Sequence, residues 1–300
     1  MNKLAEQIND YLRYSQIERG LSPNTIAAYK QDLLEFLAFV KEEQMPAWPL
    51  EAVEIDAFLA KERDLGKANS SISRLVSTLS RFYQWLVRQQ LIALDPMSQI
   101  DAPKREKRMP LALTEAEVGK LLEQPDLTTD LGIRDRALVE LLYATGMRVS
   151  EVSGLTLPQI DLDLKTILVH GKGNKDRYVA FDDRTKNSLL NYLNNARPRL
   201  LKDKDEQHVF LSNQGKAISD RGIQYVMQKT FNQAGISGKV HPHELRHTFA
   251  TAMLNNGADM RSVQELLGHS SLSATQIYTH VTTAHLKSDY EKYFPRNKES

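Results

Sequence analysis

Apolar residues in this chain recur three and four positions apart almost everywhere and alternate in only a few short places. A period near 3.6 is one face of an α-helix, and strict alternation is one face of a strand. Over the first hundred residues only the helical spacing occurs. Leu4, Ile8, Tyr11 and Leu12 mark a first helix. Ser22 and Pro23 cap a second, with Ile26, Tyr29, Leu33, Phe36, Leu37 and Val40 as its core face. A third runs from about Glu54 to Asp64. A fourth, about Asn69 to Gln90, carries Ile72, Leu75, Leu79, Phe82 and Leu86. Further on, Thr114 and Glu117 form a capping box for a helix to about Glu123. Another helix, Gly132 to Tyr143, leads to Gly146, which ends it, and Arg148, which opens the next. Alternation then appears: Thr166–His170 and Arg177–Phe181 read as a hairpin, with Lys172 near its tip. His208–Leu211 reads as a third strand. Ser219 caps a helix to about Gln233, and Ala284 to Phe294 is a last helix offering Leu286, Tyr290 and Phe294 for packing. The expected fold is mainly α, with an all-helical N-terminal domain and a mixed α+β second domain holding a small antiparallel sheet.

Three hundred residues make two domains the default. With 41% hydrophobic residues and a mean hydropathy of −0.45, the chain can fill a core and has no apolar run long enough to span a bilayer. Its start, MNKLAEQINDYLRY, is charged and has no signal-peptide apolar region. There are no cysteines, which excludes disulfides, thiolate catalysis and cysteine zinc sites and fits a cytoplasmic protein.

The net charge of +1 does not announce a nucleic-acid partner, so any such partner must be read from where the charges lie. On the fourth helix Arg74, Arg81 and Arg88 are seven apart and stripe one side, with Lys67 leading in. Ser70, Ser71, Ser77, Thr78 and Gln84 lie among them, and no acidic residue occurs between Asp64 and Asp95. A solvated face normally mixes both signs. Arginine and hydroxyl groups without carboxylates suit a phosphate backbone. After Asp95-Pro96, the run IDAPKREKRMP reads as a linker, and its Lys104, Arg105, Lys107 and Arg108 could follow the same backbone.

The stretch from His243 to Tyr278 concentrates chemistry. After Pro242, Leu245, Phe249 and Met253 form one helical face and His243, Arg246, His247 and Ala250 another. Gly257 stops that helix. Met260–Leu267 forms a second, ending at Gly268 and His269. Ser273 opens a third with Gln276 three on, and Tyr278 lies one turn inside it. Two chemistries compete for these residues. His243-Glu244-Leu245-Arg246-His247 matches H-E-x-x-H, which on a helix would aim two histidines at zinc, with His241, His269 or His280 as a third ligand. Against it, Arg246 would put a cation on the histidine face. The alternative is phosphoryl transfer to a side chain. That reaction needs fixed cations on the non-bridging oxygens, a nucleophile and a proton donor. Arg148, Lys172, His243, Arg246, His269 and Tyr278 supply every part without a metal or cofactor. GKGNK at the hairpin lacks the upstream glycine of a nucleotide-binding loop. Taken singly, each candidate also has an ordinary reading as a surface, turn or core residue.

The joint order of these residues resembles the tyrosine recombinase (phage integrase) family, whose signature is Arg…Lys…His-x-x-Arg…His/Trp…Tyr. Here it reads TGMRVSE, HGKGNK, HPHELRHTFAT, LLGHSS and TQIYTH, with all six positions filled; LSPNTIAAYKQDL and the basic linker resemble the family's N-terminal half. The phrasing is most similar to the Xer type. The resemblance implies a SAM-like core-binding domain over 1–102, a basic linker over 103–110 and a catalytic domain over 111–300 with a partner-docking C-terminal helix. It implies that Tyr278 attacks a DNA phosphate to give a 3′-phosphotyrosyl bond, that Arg148 and Arg246 hold the phosphate, and that Lys172 protonates the leaving 5′-oxygen. His243 takes the tyrosine proton and His269 hydrogen-bonds the phosphate. Glu151 orients Arg148, and His247 is structural. It further implies a C-shaped clamp on duplex DNA, four protomers on two sites, a second XerD-like recombinase and an FtsK-type translocase as partners, and chromosome-dimer resolution at cell division. A phage or transposon integrase of the same family, a non-catalytic DNA-binding protein and a zinc peptidase are the competing readings.

Overall fold

The computed structural model describes residues 2–45, 48–101, 103, 112–170, 176–236, 242–267 and 280–297, and of residues 2, 242, 243 and 280–285 only the backbone. The chain divides into two compact units, Met1–Arg108 and Met109–Ser300.

The first unit is helical: α1 (Asn2–Ile17), α2 (Pro23–Glu42), α3 (Ala52–Asp64) and α4 (Asn69–Arg88). Ser22 caps α2 by accepting from the Thr25 amide, with Pro23 in the first turn, where its missing N–H costs nothing. The four helices bury one core. Leu33, Phe36, Ile55, Phe58, Leu59, Ile72, Leu75, Leu79, Phe82 and Leu86 are all fully buried. Aromatic rings interlock at its centre, Tyr11 on Phe82 at 5.4 Å and Phe36 on Phe58 at 5.3 Å.

The second unit begins with α5 (Glu115–Glu123), α6 (Asp130–Thr145) and the short α7 (Val149–Ser153). Thr114 and Glu117 close the capping box at α5 as expected. Most of α6 is buried, as befits a helix enclosed by others, and it packs against α5, the later α8 (Asp183–Asn191) and α11 (Pro242–Asn255). Strands β1 (Ile160–Asp161), β2 (Thr166–His170) and β3 (Asp176–Ala180) form an antiparallel sheet in the order β1-β2-β3. Its register pairs Ile167 with Val179 and Val169 with Arg177. After α8 come α9 (Arg197–Leu200), α10 (Asp220–Gln233), α11, α12 (Met260–Leu267) and α13 (His280–Tyr293).

One expectation changes. The third strand is β1, not His208–Leu211, whose ends make only isolated bridges, Thr156 with His208 and Leu211 with Ala217. The carbonyls there have another partner: the buried Arg197 guanidinium donates to the Glu206, His208 and Val209 oxygens. The helices between Asp183 and Leu200 add to the expected elements, with Thr185, Leu189, Tyr192 and Ala196 buried on their inner side. The expected helix from Ser273 lies outside the described residues, and α13 begins at His280. Within the described residues Leu286, Tyr290 and Phe294 are buried in their own unit, with Phe294 4.8 Å from Tyr290, 5.4 Å from Tyr143 and 5.9 Å from Phe249.

Candidate active site

Gly146 begins the site. Its positive φ of 59° ends α6, and a Cβ there would lie 2.8 Å from both Leu267 and Phe249. Only glycine allows the end of α6 to approach α11 and α12 this closely. Two residues on, Arg148 is the N-cap of α7, and Glu151 returns its carboxylate to the Arg148 amide at 2.7 Å. The same carboxylate accepts from the Arg148 guanidinium at 3.0 Å. Glu151 therefore contacts Arg148 through both backbone and side chain.

A residue outside the signature completes this contact. Arg177 on β3 donates from both terminal nitrogens to the two Glu151 oxygens, at 2.9 Å each, and its Nε donates to the Leu266 carbonyl at 3.2 Å. Its side chain is only 4% exposed. The sequence signal was available: Arg177 shares a strand face with Val179, and a charge on an inward face signals a buried ion pair. Burial by itself raises the Glu151 carboxyl, but the Arg177 fork and the Arg148 contacts outweigh it and hold that carboxyl below its ordinary value.

Arg246 reaches in from α11. It donates to the Gly146 carbonyl at 2.7 Å and to the Leu267 carbonyl at 2.6 Å and is buried. The last carbonyls of α12 are thus held by two arginines, where cations complement the helix end. Burial and then the neighbouring Arg148 charge pull Arg246 down to about 10, against Glu151 and with Arg177 adding to the depression. An arginine does not surrender its proton at neutral pH, so Arg246 stays a buried cation beside a second one. Three guanidiniums face one carboxylate among the described residues. That surplus of positive charge suits a phosphodiester.

Lys172, His269 and Tyr278 lie outside the described residues, as does the side chain of His243. His247 is half-buried, with Thr251 Oγ1 3.5 Å from its ring nitrogen. Arg246 is the fourth residue of the H-E-x-x-H run, with its charge engaged on carbonyls, which disfavours a metal cation beside it.

The four basic residues around α4 divide into two kinds. Lys67 is ion-paired with Glu35 and Glu62, and Arg74 with the buried Asp32 at 2.8 Å. These carboxylates come from α2 and α3, so the acid-free run in the sequence is not acid-free in space. Arg81 instead donates to the Tyr29 hydroxyl and Arg88 to the Tyr14 hydroxyl, and neither has a carboxylate partner among the described residues. Arg81 also lines a groove of about 570 Å³ with Ser73, Ser77, Ser80 and Gln84. The linker cations Lys104, Arg105, Lys107 and Arg108 lie outside the described residues.

The sequence model of the Phage integrase family matches residues 112–285, and that of the phage integrase N-terminal SAM-like domain matches residues 8–90. The chain belongs to the phage integrase family. Among curated relatives of this integrase-family chain, tyrosine recombinase XerC of Lactobacillus leichmannii is 47% identical over 290 residues, spanning 95% of this chain and 98% of its own. Tyrosine recombinase XerD of Lacticaseibacillus casei is 43% identical over 289 residues, spanning 96% and 98%. Among solved structures, XerA recombinase is 31% identical with a TM-score of 0.50, over 98% of this chain and 99% of that one. XerH bound to palindromic difH substrate, a post-cleavage complex, shares the fold with a TM-score of 0.70 at 23% identity, over 95% and 84%. This integrase-family chain is an Xer-type tyrosine recombinase, a site-specific DNA recombinase built from a SAM-like helical domain and a catalytic domain with a small antiparallel sheet.

Proposed function

We propose that this recombinase cuts and rejoins duplex DNA by direct transesterification through Tyr278. The Tyr278 oxygen attacks the scissile phosphorus and the bond to the 5′-oxygen breaks, leaving a 3′-phosphotyrosyl link and a free 5′-hydroxyl. His243 takes the tyrosine proton and Lys172 gives one to the leaving oxygen. Arg148 and Arg246 neutralise the non-bridging oxygens, and His269 hydrogen-bonds one of them. Attack by a 5′-hydroxyl from a second duplex reverses the step and exchanges strands. The observation that carries this reading is the charge-rich pair Arg148 and Arg246, anchored on Glu151 and on the Gly146 and Leu267 carbonyls, in a chain that fills all six signature positions. A transition state gaining negative charge is stabilised by donors fixed in advance.

The helical domain, residues 1–102, would grip the DNA backbone with Arg81 and Arg88, and residues 103–110 would follow the duplex to the catalytic domain, 111–300. The likeness to both XerC and XerD supports a paired XerD-like recombinase, a tetramer on two recombination sites, an FtsK-type translocase as regulator and resolution of chromosome dimers in the cytoplasm. Incubating the protein with a duplex nicked beside the cleavage position, in EDTA, tests the reaction. A denaturation-resistant protein–DNA band should form and vanish in Tyr278→Phe. A band that survives the substitution, or that requires a metal, would refute the mechanism.

A further inference from the structure

Arg177 has no place in the six-residue signature, yet it joins Glu151 to the end of α12. It is buried on β3, the strand that follows the hairpin segment containing Lys172. It spends two donors on Glu151 and one on the Leu266 carbonyl, the turn of α12 that also presents the Leu267 carbonyl to Arg246. One planar fork thereby locates α7, β3 and the end of α12 relative to one another. A lysine, a single point of charge, could not make these three contacts together.

The consequence falls on Arg148. A carboxylate free of Arg177 could accept both arms of the Arg148 guanidinium, as arginine–carboxylate pairs favour. With the Arg177 fork on both oxygens, Arg148 reaches Glu151 through one terminal nitrogen only. Its other guanidinium nitrogens have no hydrogen-bond partner among the described residues, and the side chain stays 40% exposed. Arg148 is held in place without being saturated.

We infer that Arg177 is a positioning residue for strand cleavage: by occupying the Glu151 fork and the end of α12 together, it keeps the Arg148 guanidinium aimed and available for a phosphate. A buried ion pair by itself is poor evidence of stabilisation, since apolar replacements often serve as well. Its place between two phosphate-binding arginines and a helix end is what gives it this role. The inference rests on the proposed reading of the site as a phosphodiester site.

The test compares full-length wild type, Arg177→Met and Arg177→Lys in covalent-adduct formation on a nicked duplex that the wild type cleaves. The duplex carries either an ordinary phosphate or a methylphosphonate at the scissile position. On the phosphate the Met variant should form adduct about 100-fold more slowly, the scale of a small misplacement in an active site, with DNA affinity unchanged. The Lys variant, which keeps the charge but not the three contacts, should fall between. On the methylphosphonate, which lacks the charged oxygen that Arg148 would neutralise, the gap should close. A gap of equal size on both substrates, or a loss in both variants that follows their thermal unfolding, would make Arg177 a structural counter-ion and overturn the inference. Failure of the wild type itself to form adduct on DNA it binds would instead remove the transesterase reading, and this inference with it.

Discussion

At the scale of single residues, Gly146 and Glu151 hold the two guanidiniums of Arg246 and Arg148. Gly146 combines a left-handed backbone with a carbonyl that accepts from Arg246. Gly146→Ala should cost about 2 kcal/mol or more, from the backbone conformation and from the clash with Leu267 and Phe249. Denaturant unfolding measures it, and an unchanged midpoint would contradict the close approach. Glu151 links stability to pH. Its folded-state carboxyl titrates below its ordinary value, so its contribution is complete above about pH 4.3 and is lost as pH falls through the lower folded value. Thermal unfolding of the wild type should therefore fall more steeply under acid than that of Glu151→Gln. The Gln variant should already be less stable at neutral pH, by roughly 3 kcal/mol, because Arg177 then lacks its counter-charge.

At the scale of elements, α4 shows how neighbouring helices reassign a charge pattern. The run without acids between Asp64 and Asp95 reads as a uniform cationic stripe. Packing α2 and α3 beside α4 brings Asp32, Glu35 and Glu62 to its first half, while Tyr14 and Tyr29 meet its second half. Substitutions along one stripe should therefore behave differently. Arg81→Ala should weaken DNA binding across many sequences and reduce the salt slope by about one, as loss of a phosphate contact does. Arg74→Ala should act mainly on stability, by about 1–2 kcal/mol given its partial exposure, because it strands Asp32, whose buried carboxyl is already raised. Binding isotherms at several salt concentrations, read beside unfolding curves, separate the two. Equal salt slopes for both variants would dissolve the distinction.

At the scale of the whole molecule, the second unit is closed by its own C-terminal segment. Arg296, just beyond α13, pairs with Glu140 on α6 and with Asp182, the N-cap of α8. Both carboxylates are buried, and Arg136 supplies Glu140 with a second cation. Removing the charge in Arg296→Ala should destabilise this unit by roughly 3–5 kcal/mol, since a buried carboxylate without its partner is costly. Limited proteolysis should then release the C-terminal segment before the rest of the unit is cut. Release at the wild-type rate would show that the aromatic contacts of Tyr290 and Phe294 hold it unaided.

The sequence by itself determined the helical first unit, the hairpin, the helix boundaries around Gly146 and Arg148, and the signature that places the chain in its family. Each depends on residues close along the chain or on their fixed order: a repeat of 3.6, a capping pair, a glycine at a stop. Only the tertiary structure decided which charges are spent. Glu151 was legible as a partner for Arg148, being one turn away, but Arg177 reaches it from 26 residues on. The carboxylates beside α4 come from 30 or more positions earlier for Glu35 and Asp32. The absence of a full strand at His208–Leu211 has the same cause, because the His208 and Val209 carbonyls accept from Arg197 and the Leu211 carbonyl from Arg134. Electrostatic partners are fixed by distance in space, and a linear pattern carries that information only within a turn or two of helix or across a tight hairpin.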